Sequence, residues 1–247
     1  MNQPYRSWRF PSCSLSIFIF TVFSHCAQPA IASAQSVHAI AESASKGVHT
    51  GLASPAPLST RELAGNLVDL ASLPNPPLEE IRYATEYNFT ATQLYPFPRA
   101  FLQKDAAAAL EKVQQYLAAR GLGLKVWDAY RPLSVQQKMW DLIRDERYVS
   151  NPAKNRGRHT RGTAIDVTLV DKRGKALPMP TDFDDFSERA DSDWAGASVP
   201  QKENRALLQE AMTRFGFEIY PFEWWHFDFH GWQSYSPLDL NFRDIRK

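Results

Sequence analysis

A histidine and an aspartate seven residues apart form the first group of side chains that could do chemistry. His159 leads a glycine-containing turn, and Asp166 lies in the strand-like segment that follows, between Ile165 and Val167. Aspartate is depleted in strands, and a carboxylate among apolar neighbours costs free energy unless a cation compensates it. The pair therefore indicates a buried cationic site, although an exposed aspartate on an edge strand beside a surface histidine would give the same pattern.

A second group combines a carboxylate and an imidazole three residues apart, Glu223 and His226. The residues around them are aromatic: Phe222, Trp224, Trp225 and Phe227. Aromatic side chains can wall a dry pocket in which polar groups act strongly, whereas an aromatic core strand whose polar residues face solvent is the alternative. Two histidines and one aspartate suit zinc with a fourth position open for water. Glu223 would then lie beside the metal as a general base.

Arg131 is the third candidate, because it follows a strand-like segment, residues 124–128, in the run Asp-Ala-Tyr-Arg-Pro. An arginine at the end of a buried strand is well placed to reach a polar site, although a surface ion pair is the commoner fate of arginines. The histidines that precede the folded domain or lack comparable surroundings are His25, His38, His49 and His230.

These motifs, in this order, resemble the D-alanyl-D-alanine dipeptidase family, the group that includes the vancomycin-resistance dipeptidases. The likeness runs from about Ile81 to His226 and includes residues 83–90 and 179–184. It implies a compact α+β fold, one zinc ion per chain, and hydrolysis of D-alanyl-D-alanine or a closely similar small D-dipeptide.

The resemblance also implies a role for each matching position. The implied zinc ligands are His159, Asp166 and His226. Glu223 corresponds to the catalytic base and proton shuttle, and Arg131 to the residue that steadies the tetrahedral intermediate. Asp184 corresponds to the carboxylate that receives the free amino group of the dipeptide.

One position departs from the family pattern. Family members often carry a serine two residues before the first zinc histidine, where it helps to hold the substrate carboxylate. That position is Gly157 here, and it is followed by Arg158. Arg158 is a candidate charged replacement, which would broaden or shift the preferred dipeptide.

Two other functions fit the same ligand set. A D,D-carboxypeptidase that trims D-alanine from peptidoglycan stem peptides more often reads Glu-Pro-Trp-His before its last ligand, so the Glu-Trp-Trp-His found here favours the dipeptidase. A non-catalytic zinc module that binds wall peptides or a protein partner would need neither Glu223 nor Arg131, and their presence speaks against it.

The elements that must position these residues follow from the rest of the pattern. The predicted strands are residues 81–85, 124–128, 164–170, 217–220 and 225–229. The predicted helices are residues 105–120, capped by Asp105 and ended by Gly121; 134–148, capped by Ser134; and 204–215, ended by Gly216. This order favours an α+β domain with a small, mainly antiparallel sheet flanked by helices over a doubly wound parallel sheet.

The first 34 residues are predicted to be a signal peptide. Arg6 and Arg9 precede an apolar run, residues 15–23, and residues 32–34 are the small residues that a signal peptidase needs. An uncleaved anchor ranks second, because a membrane span needs about 20 apolar residues. Lipidation at Cys26 ranks third, because residues 23–25 lack the small residues usual there. Residues 35–58 are a predicted flexible spacer, and residues 59–247 the predicted zinc peptidase domain.

The composition excludes several classes of partner. The formal net charge of +1 gives no basic surface for nucleic acid. Both cysteines, Cys13 and Cys26, lie in the predicted signal peptide, so the mature chain would have no disulfide and no thiolate metal site. We expect an exported protein, periplasmic or secreted and without stable membrane insertion after cleavage. An exported dipeptidase cannot deplete a cytoplasmic dipeptide pool, so recycling or scavenging of wall peptides is the expected role.

Overall fold

The computed structural model describes residues 66–245, all of which lie in one compact unit. The predicted signal peptide (residues 1–34) and spacer (residues 35–58) lie outside the described residues. Within residues 66–245, none of the helices has both the length and the apolar character needed to cross a membrane.

Seven strands and four α-helices make up this part of the chain. The strands are β1 Leu67–Asp69, β2 Leu78–Glu79, β3 Phe101–Gln103, β4 Leu122–Asp128, β5 Ala164–Asp171, β6 Phe217–Ile219 and β7 His226–Phe229. The α-helices are α1 Lys104–Ala118, α2 Leu133–Leu142, α3 Val199–Arg214 and α4 Phe242–Ile245.

A five-stranded sheet in the order β2-β4-β5-β7-β6 forms the centre of the fold, and β1 pairs with β3 separately. Only the β2–β4 pair is parallel; the other pairs are antiparallel. The predicted α+β class with a mainly antiparallel sheet is therefore confirmed. The strands predicted over residues 124–128, 164–170, 217–220 and 225–229 are confirmed as β4, β5, β6 and β7.

The helix α1 covers the sheet and contacts both β4 and α3. Its alanine-rich sequence favours a helix, and it buries the apolar residues Ala106, Leu110, Val113 and Leu117. Gly121 and Gly216 follow α1 and α3 with positive φ angles of 70° and 93°, a conformation that favours glycine. The helix ends predicted at these two glycines are therefore confirmed.

Residues 81–85 were predicted to be a strand, and that prediction is wrong, because Arg82–Ala84 form a 3₁₀ turn. The Tyr83 carbonyl accepts hydrogen bonds from the backbone N–H groups of Leu94 and Tyr95, both at 2.8 Å. The backbone here is therefore bonded to a loop, and the buried Tyr83 side chain satisfies the apolar pattern without a strand.

The helices α1 and α3 begin at other residues than predicted. The N-cap of α1 is Gln103, and the predicted cap Asp105 lies inside the helix. The helix α3 begins at Val199 rather than at residue 204, because Ser198 and Gln201 form a capping box before the predicted start.

The helix α2 ends at Leu142, well before the predicted end at Tyr148, and Pro132 rather than Ser134 is its N-cap. The chain beyond α2 instead closes a turn in which the Asp145 carbonyl accepts a hydrogen bond from the Tyr148 N–H at 3.1 Å. This turn directs the following loop toward the cavity described below.

Candidate active site

Three neighbouring strands bring Asp128, Asp166 and His226 into one row across the sheet. Asp166 on β5 is paired with Asp128 on β4 and with His226 on β7. Residues directly opposite one another have side chains on the same face, about 5 Å apart, so the register brings an imidazole and two carboxylates together. The β4 strand is irregular between Val126 and Asp128, a type of distortion that re-aims side chains near functional sites.

His159 joins this row from the 3₁₀ turn His159–Arg161, which precedes β5. Gly162 ends the turn at a φ of 67°, and a Cβ there would lie 2.6 Å from Leu67, so the position requires glycine. The His159 carbonyl accepts a hydrogen bond from the Arg131 N–H at 3.1 Å. The turn and the end of β4 are thereby held together.

The three predicted metal ligands converge. His159 Nε2 lies 3.1 Å from His226 Nδ1 and 3.4 Å from Asp166 Oδ2, and His226 Nδ1 lies 3.1 Å from Asp166 Oδ1. All three residues are buried, and their ligand atoms lie within 4.8 Å of one another, so they could hold a metal ion. The alternative of an exposed edge-strand aspartate is wrong, because Asp166 lies on the central strand and is 3% exposed.

The outer nitrogens of both imidazoles are occupied, which leaves the inner nitrogens for a metal. His159 Nδ1 donates to the Ala129 carbonyl at 2.7 Å, and His226 Nε2 donates to Asp228 Oδ1 at 2.9 Å. A neutral imidazole carries one N–H and one lone pair. The lone pairs therefore lie on His159 Nε2 and His226 Nδ1, the two atoms that face Asp166.

The electrostatics of this cluster favour a cation. Burial alone would lower the pKa of His226, but the carboxylates of Asp228 and Asp166 outweigh it and raise that pKa to about 10. Burial likewise opposes the charge on Asp166, yet His159 and His226 hold its pKa below the ordinary range. Positive charge is therefore stabilised at the centre of the row, where a metal ion would replace a proton.

Glu223 lies in the turn between β6 and β7, with Oε2 3.7 Å from His226 Nδ1. It is 7% exposed, and Trp224, Trp225 and His226 are also buried, so the alternative with solvent-facing Glu223 and His226 is wrong. Burial, with smaller contributions from nearby carboxylates, raises the pKa of Glu223 well above its usual range. A carboxylate beside the ligands with a raised pKa is suited to accept a proton.

Arg131 is buried rather than part of a surface ion pair. Asp128 Oδ2 accepts from Arg131 Nε at 3.1 Å and from Nη2 at 2.6 Å, and Gln136 Oε1 accepts from Nη1 at 2.8 Å. The other oxygen of Asp128 accepts from the Tyr95 hydroxyl at 2.7 Å. Burial opposes the Arg131 charge, but Asp128 outweighs it and raises the pKa of the guanidinium. The guanidinium is therefore charged and fixed in orientation.

The Tyr83 hydroxyl donates to the Asp184 carboxylate, and its oxygen lies 3.0 Å from Oδ1 and 3.2 Å from Oδ2. Burial raises the pKa of Asp184 to about 8, against the effects of Tyr83 and Arg131. This carboxylate therefore lacks a cationic partner strong enough to keep its pKa low. Its backbone adopts a φ of 60°, in the left-handed region.

One cavity of about 510 Å³, including its open mouth, connects these groups. The six site residues predicted from sequence all line it: Arg131, His159, Asp166, Asp184, Glu223 and His226. The loop beyond α2 adds Glu146, Arg147 and Tyr148 to the wall. The Tyr220 hydroxyl donates to the Arg147 carbonyl at 2.8 Å, which fixes this loop to the turn between β6 and β7.

Gly157 directly precedes Arg158, which lines the same cavity. Gly157 has a φ of 81°, and a Cβ there would lie 3.4 Å from Gln136, so this backbone disfavours a serine. Arg158 lines the cavity and pairs through Nε with Asp228 Oδ2 at 2.9 Å. Contact between Arg158 and a substrate carboxylate stays a prediction. His230 is exposed and does not line the cavity. Its Nδ1 lies 3.0 Å from the Gly216 carbonyl oxygen.

Four polar residues of the site were missed from sequence: Tyr83, Asp128, Gln136 and Asp228. Two of them carried a signal. Asp128 is the first residue of the Asp-Ala-Tyr-Arg-Pro run, and Asp228 follows His226 by two residues, the spacing that places two side chains on one face of a strand. Tyr83 is 101 residues away from Asp184 in sequence. Gln136 is only five residues from Arg131, but its position near the start of α2 carries no pattern that marks it as a site residue.

The comparisons with known proteins agree with this geometry. The family model described as D-ala-D-ala dipeptidase matches residues 64–242. The D-alanyl-D-alanine dipeptidase of Escherichia coli (strain K12) is 39% identical over 173 residues, which is 70% of this chain and 89% of that protein. The D-alanyl-D-alanine dipeptidase of Enterococcus faecalis (strain ATCC 700802 / V583) is 33% identical over 168 residues, 60% of this chain and 83% of that protein.

A solved structure of a vancomycin-resistance D,D-pentapeptidase in complex with Zn(II) also overlaps this chain. It is 19% identical, with a TM-score of 0.35 over 55% of this chain and 76% of that chain. An overlap this low supports no inference about the present protein.

Proposed function

The chain belongs to the D-ala-D-ala dipeptidase family of peptidases, and from that membership we propose that it hydrolyses D-alanyl-D-alanine, or a closely similar D-dipeptide, to free amino acids. The observation that carries the proposal is the convergence of two imidazole lone pairs and a carboxylate beside Glu223 in one cavity. We propose recycling or scavenging of wall peptides as the role, outside the cytoplasm, on the strength of the predicted signal peptide.

We propose zinc as the metal, one ion per chain. Two neutral imidazoles and one carboxylate are a ligand set found in catalytic zinc sites, where a fourth position is left open. The lone pairs on His159 Nε2 and His226 Nδ1 fit this requirement, because the outer nitrogens are bonded elsewhere. Zinc bound there supplies Lewis acidity to a water and to the scissile carbonyl.

Glu223 moves the proton in this proposal. Its carboxylate accepts a proton from the attacking water and gives it to the leaving amine. The raised pKa of Glu223 suits both steps, because the group holds the proton between them in a buried environment. Its distance of 3.7 Å from His226 Nδ1 places it beside the ligands without making it one of them.

Arg131 stabilises the negative charge that develops on the carbonyl oxygen. Preorganised donors contribute most when they need not reorient during the reaction, and Asp128 and Gln136 fix this guanidinium through three hydrogen bonds. Since arginine does not lose its proton in proteins, the donor stays charged at every pH used for an assay.

Asp184 and Tyr83 recognise the free amino group of the dipeptide. The pKa of Asp184, raised to about 8 chiefly by burial, supports this role, because a substrate ammonium would stabilise the carboxylate. An N-acylated peptide would leave Asp184 without a cationic partner in a partly buried position, which is costly. This asymmetry would select substrates whose amino terminus is free.

An assay of the zinc-loaded protein tests the proposal. Three compounds are offered: D-alanyl-D-alanine, its N-acetyl derivative, and a stem pentapeptide that ends in D-alanyl-D-alanine. We expect hydrolysis of the free dipeptide and little of the other two. Preferred cleavage of the pentapeptide would identify a D,D-carboxypeptidase instead, and bound zinc without turnover of any compound would identify a binding module.

A further inference from the structure

Asp228 is a buried carboxylate outside the proposed ligand set. It lies on β7, two residues after His226, so both side chains are on the same face of the strand. It is 5% exposed. A buried carboxylate is costly unless it is paired and hydrogen-bonded, so the partners of Asp228 indicate why it is there.

Each carboxylate oxygen of Asp228 has a different partner. Oδ1 accepts from His226 Nε2 at 2.9 Å, and Oδ2 lies 2.9 Å from Arg158 Nε. A carboxylate that served only as an ion-pair partner for Arg158 would not need the imidazole. Asp228 therefore joins the cation of Arg158 to the outer nitrogen of a proposed metal ligand.

Aromatic rings hold Arg158 in place. Its guanidinium carbon lies 4.9 Å from the ring centroid of Tyr220 and 5.0 Å from that of Trp232. The centroids of the Tyr220 and His226 rings are 5.1 Å apart. Tyr220 therefore contacts both Arg158 and His226, the two residues that Asp228 joins. Arg158, Asp228, Tyr220 and Trp232 therefore form one cluster of contacts.

The structure assigns to Asp228 a positioning role: it holds His226 so that Nδ1 faces the metal site, and Arg158 holds Asp228 in turn. The inference rests on the zinc site of the proposed function. His159 is held by the backbone carbonyl of Ala129, which no substitution can remove. His226 depends on a side chain, so its orientation can be altered by mutation without touching a ligand.

The physical consequence concerns metal affinity more than folding. A ligand histidine whose outer N–H is bonded to a carboxylate has a fixed tautomer, a fixed ring orientation and greater basicity, and loss of such a partner typically lowers metal affinity about 10–100-fold. Asp228→Ala removes both the acceptor and the negative charge. Asp228→Asn keeps an oxygen that can accept from His226 Nε2, so its loss should be smaller.

The experiment measures the zinc dissociation constant of the full chain by competition with a chromophoric chelator, and the visible spectrum after cobalt(II) substitution. The variants are Asp228→Ala, Asp228→Asn and Arg158→Met. The matched control is Glu79→Gln, because Glu79 is also a largely buried carboxylate, paired with Arg99 at 2.9 Å, but does not line the cavity.

We expect zinc affinity to fall about 10–100-fold in Asp228→Ala, with smaller losses in Asp228→Asn and Arg158→Met and an altered cobalt spectrum. Glu79→Gln removes the charge that faces Arg99 and should leave zinc affinity unchanged. If Asp228→Ala does not fold, the zinc affinities of Asp228→Asn and Arg158→Met decide whether the inference holds.

The inference would be overturned if the folded Asp228 variants bound zinc with an affinity within twofold of that of the unaltered protein, whatever their melting temperatures. If the unaltered protein binds zinc but hydrolyses no dipeptide, the proposed activity fails while the affinities still decide the role of Asp228. If it binds no zinc, both fail.

Discussion

Replacing Glu223 with glutamine separates proton transfer from metal binding. Glutamine has nearly the same size and keeps hydrogen-bonding atoms, but it cannot accept the proton of the attacking water. Because Glu223 Oε2 lies 3.7 Å from His226 Nδ1 and is not one of the three converging ligands, Glu223→Gln should keep zinc. A general base typically contributes about 10²–10⁴-fold, so kcat should fall by that factor, equivalent to about 3–5 kcal/mol of activation free energy.

The same substitution should stabilise the metal-free protein. Burial raises the pKa of Glu223 in the folded state. Asp166 and Asp184 raise it further, whereas His226 and Arg131 lower it. In the unfolded chain the pKa returns to about 4.3. Between these values the folded protein binds the proton more tightly, so this group lowers stability as pH rises. Glutamine cannot ionise. Since 1 kcal/mol moves the melting temperature by about 2–4 °C in a chain of this size, Glu223→Gln should melt several degrees higher near pH 7, and the difference should vanish near pH 4.

The assay combines three measurements on the same preparations: zinc content, kcat on D-alanyl-D-alanine, and melting temperature of the chelator-treated protein against pH. Glu223→Ala is the control, because it also removes the base and the ionisable group but leaves a void, so it should melt at a lower temperature than Glu223→Gln. Near-normal kcat in Glu223→Gln would refute the assigned base. A lower melting temperature than that of the unaltered protein across the whole pH range would refute the electrostatic reasoning.

Four further outcomes are expected. His226→Ala should abolish activity and lower zinc content, because three protein ligands leave none to spare; full zinc content in that variant would remove His226 from the site. Arg131→Lys should keep zinc and lose about 100-fold in kcat, because a point charge cannot reproduce the planar fork; steady-state kinetics with metal analysis checks this. Asp184→Asn should narrow the difference in kcat/KM between the free and the N-acetylated dipeptide, and asparagine tolerates the left-handed backbone at this position. N-terminal sequencing of protein from the periplasm or medium should find Gln35 within a few residues, whereas Met1 on a cytoplasmic protein would contradict export.

The parts of the site that could be predicted from sequence are those whose spacing has a local meaning. Asp166 among strand residues and Glu223 beside His226 are unusual within a few positions, and each turned out to be buried. The local sequence could not predict that these segments lie next to one another. It depends on the register that pairs Asp166 with His226 and Asp128, and shifting a strand by one residue would move its side chains to the opposite face.

Two of the wrong predictions, the strand over residues 81–85 and the helix end at Tyr148, have a common physical origin in tertiary contacts. The segment around Tyr83 has the apolar character of a strand, but its carbonyl is bonded to the loop at Leu94 and Tyr95. The residues beyond Leu142 could continue a helix by composition, yet the Tyr220 hydroxyl holds the Arg147 carbonyl. In both places a distant partner satisfies backbone groups that a local pattern would assign to a regular element.

The carboxylates of the cavity differ in the groups that compensate their charge, and that difference supports the distinct roles proposed for them. Asp166 faces two imidazoles, which hold its pKa low, so it is anionic and ready to bind a metal. Burial raises the pKa of Asp184 to about 8 against the effects of Tyr83 and Arg131, so a substrate ammonium would add favourable charge there. Glu223 is raised as well and lies beside the ligands, where the available cation is a proton taken from water. In the proposed function, one cavity therefore supports metal binding, amine recognition and proton transfer with the same functional group, because environments push the pKa values of neighbouring carboxyls apart.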